Sequence, residues 1–246
     1  MPSDAHTPSP SLAGQTVAVI GGSSGLGFAI AAEARRQGAG LILVARDAER
    51  LRHAAVALGG AATITADIAN ADAASALFGD IARLDHLVIT AGTARLLPLA
   101  AHSAHDLTAV LAERLVGPLL AIKAAAPRLR EGGSITLTSA QLSTRPIAAG
   151  AVLAAAVSGV EALARALALE LAPIRINALA PGLIDTPLLD GLLGDAKRQV
   201  LEASAASVPV RRVGRPQDVA QAALLLMTNG FITGEVLHVD GGGRWV

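Results

Sequence analysis

"VAVIGGSSGLGFAIA" (17–31) joins an apolar β-like run to a glycine-rich turn and then to an apolar pattern with helical spacing. Gly21, Gly25 and Gly27 spell G-x-x-x-G-x-G directly after the first strand, with Ser23, Ser24 and Leu26 between them. Glycines there permit a tight turn and close backbone approach to a pyrophosphate, and the helix behind offers its free N–H groups to the same anion. A glycine cluster by itself marks any structural turn. Its position, where the first strand meets the first helix, is what points to a bound nucleotide.

Outward from this turn, short apolar runs alternate with helical patterns to the end of the chain. After "TVAVIG" (16–21) come "GLILVA" (40–45), "ATITA" (62–66), "HLVITA" (86–91), "SITLTS" (134–139), "IRINALA" (174–180) and "EVLHVD" (235–240). Most are apolar throughout rather than alternating, the mark of strands buried on both faces of a parallel sheet. Segments between them, such as "EALARALALEL" (161–171), have the i, i+3, i+4 spacing and the length of crossover helices. No linker, low-complexity tract or fixed-period repeat interrupts the pattern. The expectation is an α/β fold. One doubly wound domain spans 13–246, with about seven parallel strands and helices on both faces, and a Pro/Ser-rich tail at 1–12 is expected to be disordered.

The bulk numbers agree with a single large domain: 246 residues, 52% hydrophobic and 16% charged. Twenty basic and twenty acidic residues cancel, so there is no electrostatic footprint for nucleic acid or an anionic membrane. The chain has no Cys, which excludes disulfides and thiolate metal sites. "MPSDAHTPSPS" lacks the basic and apolar regions of a secretory signal, and the uncharged run at 146–160 is too short to span a bilayer. A cytoplasmic location is the expectation.

The glycine spacing differs from the common dinucleotide G-x-G-x-x-G and resembles that of the short-chain dehydrogenase/reductase family. The likeness covers nearly the whole chain, leaving out only 1–12. "LVITAG" (87–92) resembles the family's N-N-A-G strand end, with Ile89 and Thr90 in place of the asparagines. "TADIA" (65–69) resembles the Asp-hydrophobic pair after the third strand, and "INALAPGLIDTPL" (176–188) the P-G-x-x-x-T segment. "GRPQDVAQAALLL" and "ITGEVLHVDGG", within 214–242, resemble the C-terminal signature. The resemblance implies a Rossmann-type fold, a nicotinamide dinucleotide, a small-molecule substrate, and a homotetramer or homodimer. It implies Asp67 and Ile68 beside the adenine, and Ala91 and Gly92 along the adenosine–ribose path. Pro181 and Gly182 then lead to the Ile184 backbone and Thr186 at the carboxamide.

The second strand ends in "VARD" (44–47), where NAD-dependent proteins place an acidic residue on the ribose 2′-hydroxyl. The resemblance puts Ala45 at that position, followed by Arg46. A guanidinium can pair with a 2′-phosphate, which favours NADP(H) over NAD(H). The other reading is that Arg46 is solvated and Asp47 reaches the ribose.

The family's chemistry uses a Ser, a Tyr, a Lys four residues on, and a helical Asn. In this chain Ser139 remains, while Leu153, Val157 and Arg114 fall at the Tyr, Lys and Asn positions. No register shift restores them: the chain has no Tyr, its lysines are Lys123 and Lys197, and no Asn lies between Asn70 and Asn177. A positioned general acid–base contributes roughly 10²–10⁴-fold, and a Leu–Val pair supplies none of it.

Ser139 and Arg114 are the candidate catalytic residues; Arg114 can stabilise negative charge but not shuttle a proton. Its other reading is a helix-surface residue in an ion pair with Glu113 or another neighbour. Gln141 and Arg145 are candidates for substrate contact or for plain solvated loop residues. His102 and His105, lacking a third ligand, read as a surface pair at the start of a helix, so no metal is expected. "GAVLAAAVSG" (150–159) also fits close helix packing at a subunit interface, and Pro118 should bend the helix that contains it. Two functions fit: an atypical NADP(H)-dependent oxidoreductase acting on a small apolar carbonyl, enone or imine, or a non-catalytic NADP(H)-binding protein. The retained Ser139 and P-G-x-x-x-T segment favour the first.

Overall fold

Along the first strand, β1 (Thr16–Ile20), Val17 and Val19 join one buried cluster while Ala18 and Ile20 join another. Side chains alternate across a strand, so an apolar residue at every position demands cover on both faces. The computed structural model, which describes residues 12–93, 96 and 98–246, supplies that cover as a three-layer α/β/α domain. The remaining strands are β2 (Gly40–Ala45), β3 (Ala62–Thr65), β4 (Leu84–Ile89), β5 (Leu129–Thr138), β6 (Arg175–Pro181) and β7 (Val236–Val239). All pair in parallel, in the order β3-β2-β1-β4-β5-β6-β7.

In chain order the α-helices among the described residues are α1 (Gly25–Arg36), α2 (Ala48–Ala57), α3 (Ala71–Ala76), α4 (Ala104–Leu111), α5 (Gly117–Ala125), α6 (Ala151–Glu170), α7 (Pro187–Leu193), α8 (Lys197–Ser207) and α9 (Pro216–Thr228). Helices α1, α2 and α9 bury Ile30, Leu51 and Leu226 on the face carrying Val19, Leu43 and Val88. On the opposite face α3, α5 and α6 bury Ala74, Ile122 and Val160 against Ile20, Ile89 and Leu137. The doubly wound sheet is therefore the architecture the alternating pattern implies.

Three local differences have physical causes. The expected tail at 1–12 falls outside the described residues except for Leu12, which is fully buried and donates its N–H to Gln37 O at 3.0 Å. Strand β5 begins five residues before the expected 134, because the β4–β5 register shifts from Leu84↔Leu129 to His86↔Ser134 and the bulge absorbs "REGG". The apolar stretch beyond 146 also continues into a 20-residue helix, α6, whose best 18-residue window has mean hydropathy 1.7. By length and composition that helix could cross a membrane. Here its stripe of Leu153, Ala156, Val157, Val160, Ala164 and Leu167 is buried, with Val160, Ala164 and Leu167 in the core cluster beneath the sheet.

Pro118 does more than bend a helix. Helices α4 and α5 are joined by a widened π-helical turn, Ala112–Val116, and Pro118 opens α5 directly after it. Proline has no N–H, and its ring would crowd the carbonyl four residues back, that of Arg114; widening the turn relieves both. At Gly117 a Cβ would lie 2.4 Å from Ile68 O, so only glycine lets this turn close onto the loop after β3.

Candidate active site

The strand order reverses between β1 and β4, so crossovers leave the sheet in opposite directions there and a crevice opens beyond the strand ends. A cleft of about 680 Å³ occupies that place. Ser139, Arg114 and each of the fifteen residues expected at the cofactor line it, from Gly21 at one end to Thr186 at the other.

At the β1 end the glycines have distinct jobs. Gly21 and Gly25 hold φ at +87° and +54°, the region that disfavours other residues. Gly27 has an ordinary φ, but a Cβ there would sit 2.2 Å from Gly21 O and 2.6 Å from Thr90 Oγ1. The helix start is thus pressed against the turn and the β4 end together. Ser24, the extended residue before α1, makes no side-chain cap, and the first turn of α1 holds no acidic residue. Ser23 and Leu26 line the same wall. A backbone cradle with unclaimed N–H groups fits a pyrophosphate. Thr90 donates both its N–H (2.8 Å) and its Oγ1–H (3.0 Å) to Ile20 O, fastening β4 to the turn.

At the β2 end Arg46 is exposed on the rim and has no hydrogen bond or ion pair among the described residues. Asp47, the competing candidate for the ribose, is occupied: its carboxylate accepts the Arg50 N–H at 2.9 Å as the cap of α2 and pairs with the Arg50 guanidinium at 3.5 Å. Arg50 also lines the cleft, a second cation that the sequence reading did not single out. Beyond β3, Asp67 accepts from Ala69 N at 3.0 Å and Ile68 is buried beside it. Ala91 and Gly92 continue the wall past β4. After β6, Pro181 and Gly182 lead to Ile184, which bridges Gly214, and to Thr186 at the start of α7, whose methyl carbon would lie 3.9 Å from a Cβ on Gly25.

The far end is built from side chains. Leu153 and Val157, 4% and 0% exposed, form one wall, with Leu142, Ile147 and Leu188 continuing the apolar surface. Arg114 is not a surface residue. It is 8% exposed, stacked so tightly on Gly92 that a Cβ there would meet its Cζ at 2.5 Å. Its Nε and Nη2 donate to Thr93 O at 3.1 and 2.5 Å, while Nη1 has no hydrogen bond among the described residues. Burial lowers its pKa, and the neighbouring Glu113 charge opposes that shift.

Glu113, from sequence only a possible ion-pair partner, clamps Thr93 instead, accepting the N–H at 2.8 Å and Oγ1–H at 2.7 Å. Adjacent residues on a regular helix diverge by about 100°, so both reaching Thr93 depends on the widened turn. Ser139, 2% exposed, donates to Glu161 Oε1 at 2.7 Å and lies 3.2 Å from Val157 O. From sequence, Glu161 is only part of a helical pattern. Its spacing from Leu153 and Val157, eight and four residues, was the available signal, because those intervals share one helix face.

Other candidates lie elsewhere. Arg145 leaves the main cleft and donates to Gly243 O at 2.8 Å, tying its loop to the C-terminal segment. Gln141 joins it in lining a separate polar cavity of about 530 Å³. His105 is exposed, as a surface pair requires, but both ring nitrogens of His102 are buried without a hydrogen-bond partner among the described residues. Among the described residues there is no cluster of three metal-ligating side chains.

Comparison with known proteins adds lineage to this geometry. Residues 20–243 match the family model described as Enoyl-(Acyl carrier protein) reductase. The chain is similar to "Short-chain dehydrogenase/reductase ATR9" of Stachybotrys chlorohalonatus, 34% identical over 250 residues that cover 95% of this chain and 98% of that protein. Among solved structures it resembles the MalC Reductase/Diels-Alderase of Malbranchea aurantiaca, with TM-score 0.88 and 29% identity over 96% of this chain and 98% of that one. It also resembles a small-chain dehydrogenase in complex with NADPH, with TM-score 0.82 and 31% identity over 94% and 99% of the two chains.

Proposed function

The chain belongs to the short-chain dehydrogenase/reductase family, and on that premise we propose that it is an atypical NADP(H)-dependent reductase of a small apolar carbonyl, enone or imine. The family supports a nicotinamide-dinucleotide-dependent reductase acting on a small molecule; the choice of NADP(H) and of substrate is our reading of the cleft. When bound, the reduced nicotinamide supplies a hydride. The glycine turn would hold the pyrophosphate and Arg46 the 2′-phosphate, since Asp47 is spent on its helix cap.

One observation carries the substrate class. Where the family places Tyr and Lys, the cleft presents buried Leu153 and Val157 flanked by more leucine and isoleucine. An apolar substrate gains by leaving water there, about 25 cal/mol per Å² of surface buried. A substrate that is already electrophilic, such as an iminium or activated enone, also asks less of a protein acid. Ser139 orients the reacting oxygen or nitrogen, and Arg114, through its free Nη1, stabilises negative charge that develops there. Self-association into a homodimer or homotetramer is what the family resemblance implies for this chain.

The test is NADPH oxidation against panels of ketones, enones and cyclic imines. Turnover concentrated among apolar members supports the reading. Tight NADPH binding without turnover of any class favours the competing one, a nucleotide-binding protein that has given up the reaction.

A further inference from the structure

We propose that Glu161 fixes Ser139 as a hydrogen-bond acceptor toward substrate, so that the chamber selects a protonated imine, C=N–H⁺, over a neutral ketone or enone. The inference rests on the reductase reading above. A serine hydroxyl has one proton to give and two lone pairs. Ser139 gives its proton to Glu161 Oε1 at 2.7 Å, and its other protein neighbour, Val157 O at 3.2 Å, is also an acceptor. Ser139 and Val157 both line the cleft, and what the hydroxyl has left to offer there is a lone pair. A lone pair accepts an N–H and repels a carbonyl oxygen.

Thr138, the hydroxyl beside it on β5, also lines the cleft but does not share this contact. Ser139 extends the strand through its N–H to Leu179 O at 2.7 Å, and successive side chains point to opposite faces of a sheet. Leu137 packs on the α6 face with Val160, as Ser139 does with Glu161, so Thr138 lies on the other face. Charge favours the same substrate. Glu113 and Arg114, side by side on the Thr93 clamp, oppose each other. The Glu161 carboxylate, 9% exposed, has no ion-pair partner among the described residues. It stands one hydroxyl behind the cleft wall, where a cation in the chamber would feel it through a low-dielectric surrounding.

Reduction of such a cation balances without a protein acid. Hydride from the reduced nicotinamide forms the C–H bond, the C=N π pair becomes the nitrogen lone pair, and the N–H stays on nitrogen. Leu153 and Val157 then remove nothing that the reaction uses. Glu161 is a positioning residue, since it touches Ser139 and not the substrate.

Three ring-matched probes on the full chain with NADPH test this: a cyclic imine protonated at the assay pH, its N-methyl iminium salt, and the corresponding ketone. The salt keeps the charge but lacks the N–H. An iminium is the better hydride acceptor in any solvent, so two variants carry the test. Ser139→Ala should lower kcat/KM for the imine about tenfold, to the level of the N-methyl salt. Glu161→Gln should lower the ratio of either cation to the ketone about tenfold. Apart from turnover, calorimetric binding of the matching cyclic ammonium to the protein without nucleotide should weaken about tenfold in Glu161→Gln. A ketone or enone turned over as well as the imine, whether Ser139 or Thr138 supplies the donor, overturns the inference and leaves the reductase reading standing. So do variants that shift all three probes alike. A wild-type protein that binds NADPH yet turns over neither these probes nor any panel member overturns both.

Discussion

At one end of the cleft, Gly21, Gly25 and Gly27 shape a cradle from main chain alone; at the other, Leu153, Val157, Arg114 and Ser139 shape a chamber from side chains. The difference governs how each end can change. A main-chain cradle fails only when a Cβ intrudes or φ leaves its required range, so nearly any other substitution spares it. A side-chain chamber can exchange polar groups for apolar ones while the backbone beneath stays where it was. Val157 and Leu153 are buried in a regular helix that keeps its place on the sheet. On the proposed reading, grip on the nucleotide and the movement of protons are separable in this molecule.

The sharpest way to press that contrast is to place a Tyr and a Lys in the chamber. Leu153→Tyr with Val157→Lys should raise NADPH-dependent ketone reduction by about 10²-fold or more in steady-state kinetics. A doubly substituted protein that folds, binds NADPH and stays inert toward diverse ketones would show that the helix is misaligned. Next comes the opposite end. Gly27→Val drives side chain into Gly21 O and Thr90, a backbone clash worth about 3 kcal/mol or roughly hundredfold in the NADPH dissociation constant by fluorescence titration. Unchanged affinity would mean the turn does not hold the pyrophosphate.

Arg46→Ala sits lower on the scale. It should weaken NADPH by about tenfold, the value of one charge-assisted contact, and leave NADH alone; equal losses for both would point away from the 2′-phosphate. The smallest effect on the cleft is expected at the far pole of the sheet. His86 bonds Ser134 and Gln15, each at 2.8 Å, and burial, with Arg130 and Arg175 nearby, pushes its pKa down to about 4. Between pH 6.5 and about 4 the unfolded chain binds a proton that the folded one refuses. Stability is thus full above pH 6.5 and falls by up to about 3 kcal/mol as the pH drops through that window. His86→Gln should flatten this slope in thermal melts while NADPH affinity holds at wild type.

The same division explains what could be read from the chain. The seven apolar runs and the glycine turn are legible because each is a local pattern whose meaning is set by backbone geometry. The expected strands fall within two residues of the observed ones, except where "REGG" looks like a turn and is absorbed in a β5 bulge. The Thr93 clamp is hidden because it needs Glu113 and Arg114 on one side of a helix, which regular spacing forbids and the π turn allows. The Ser139–Glu161 contact is hidden differently. Its partners are twenty-two residues apart, and only the packing of α6 on the sheet brings them together. Arg114, by contrast, was legible as a residue but not as a buried one.

Titration calorimetry of the wild-type protein with NADPH and with NADH tests the central separation most directly. An intact cradle beside a chamber without Tyr or Lys predicts saturable NADPH binding well below millimolar, with NADH weaker. No heat of binding from either dinucleotide at millimolar concentration would contradict it.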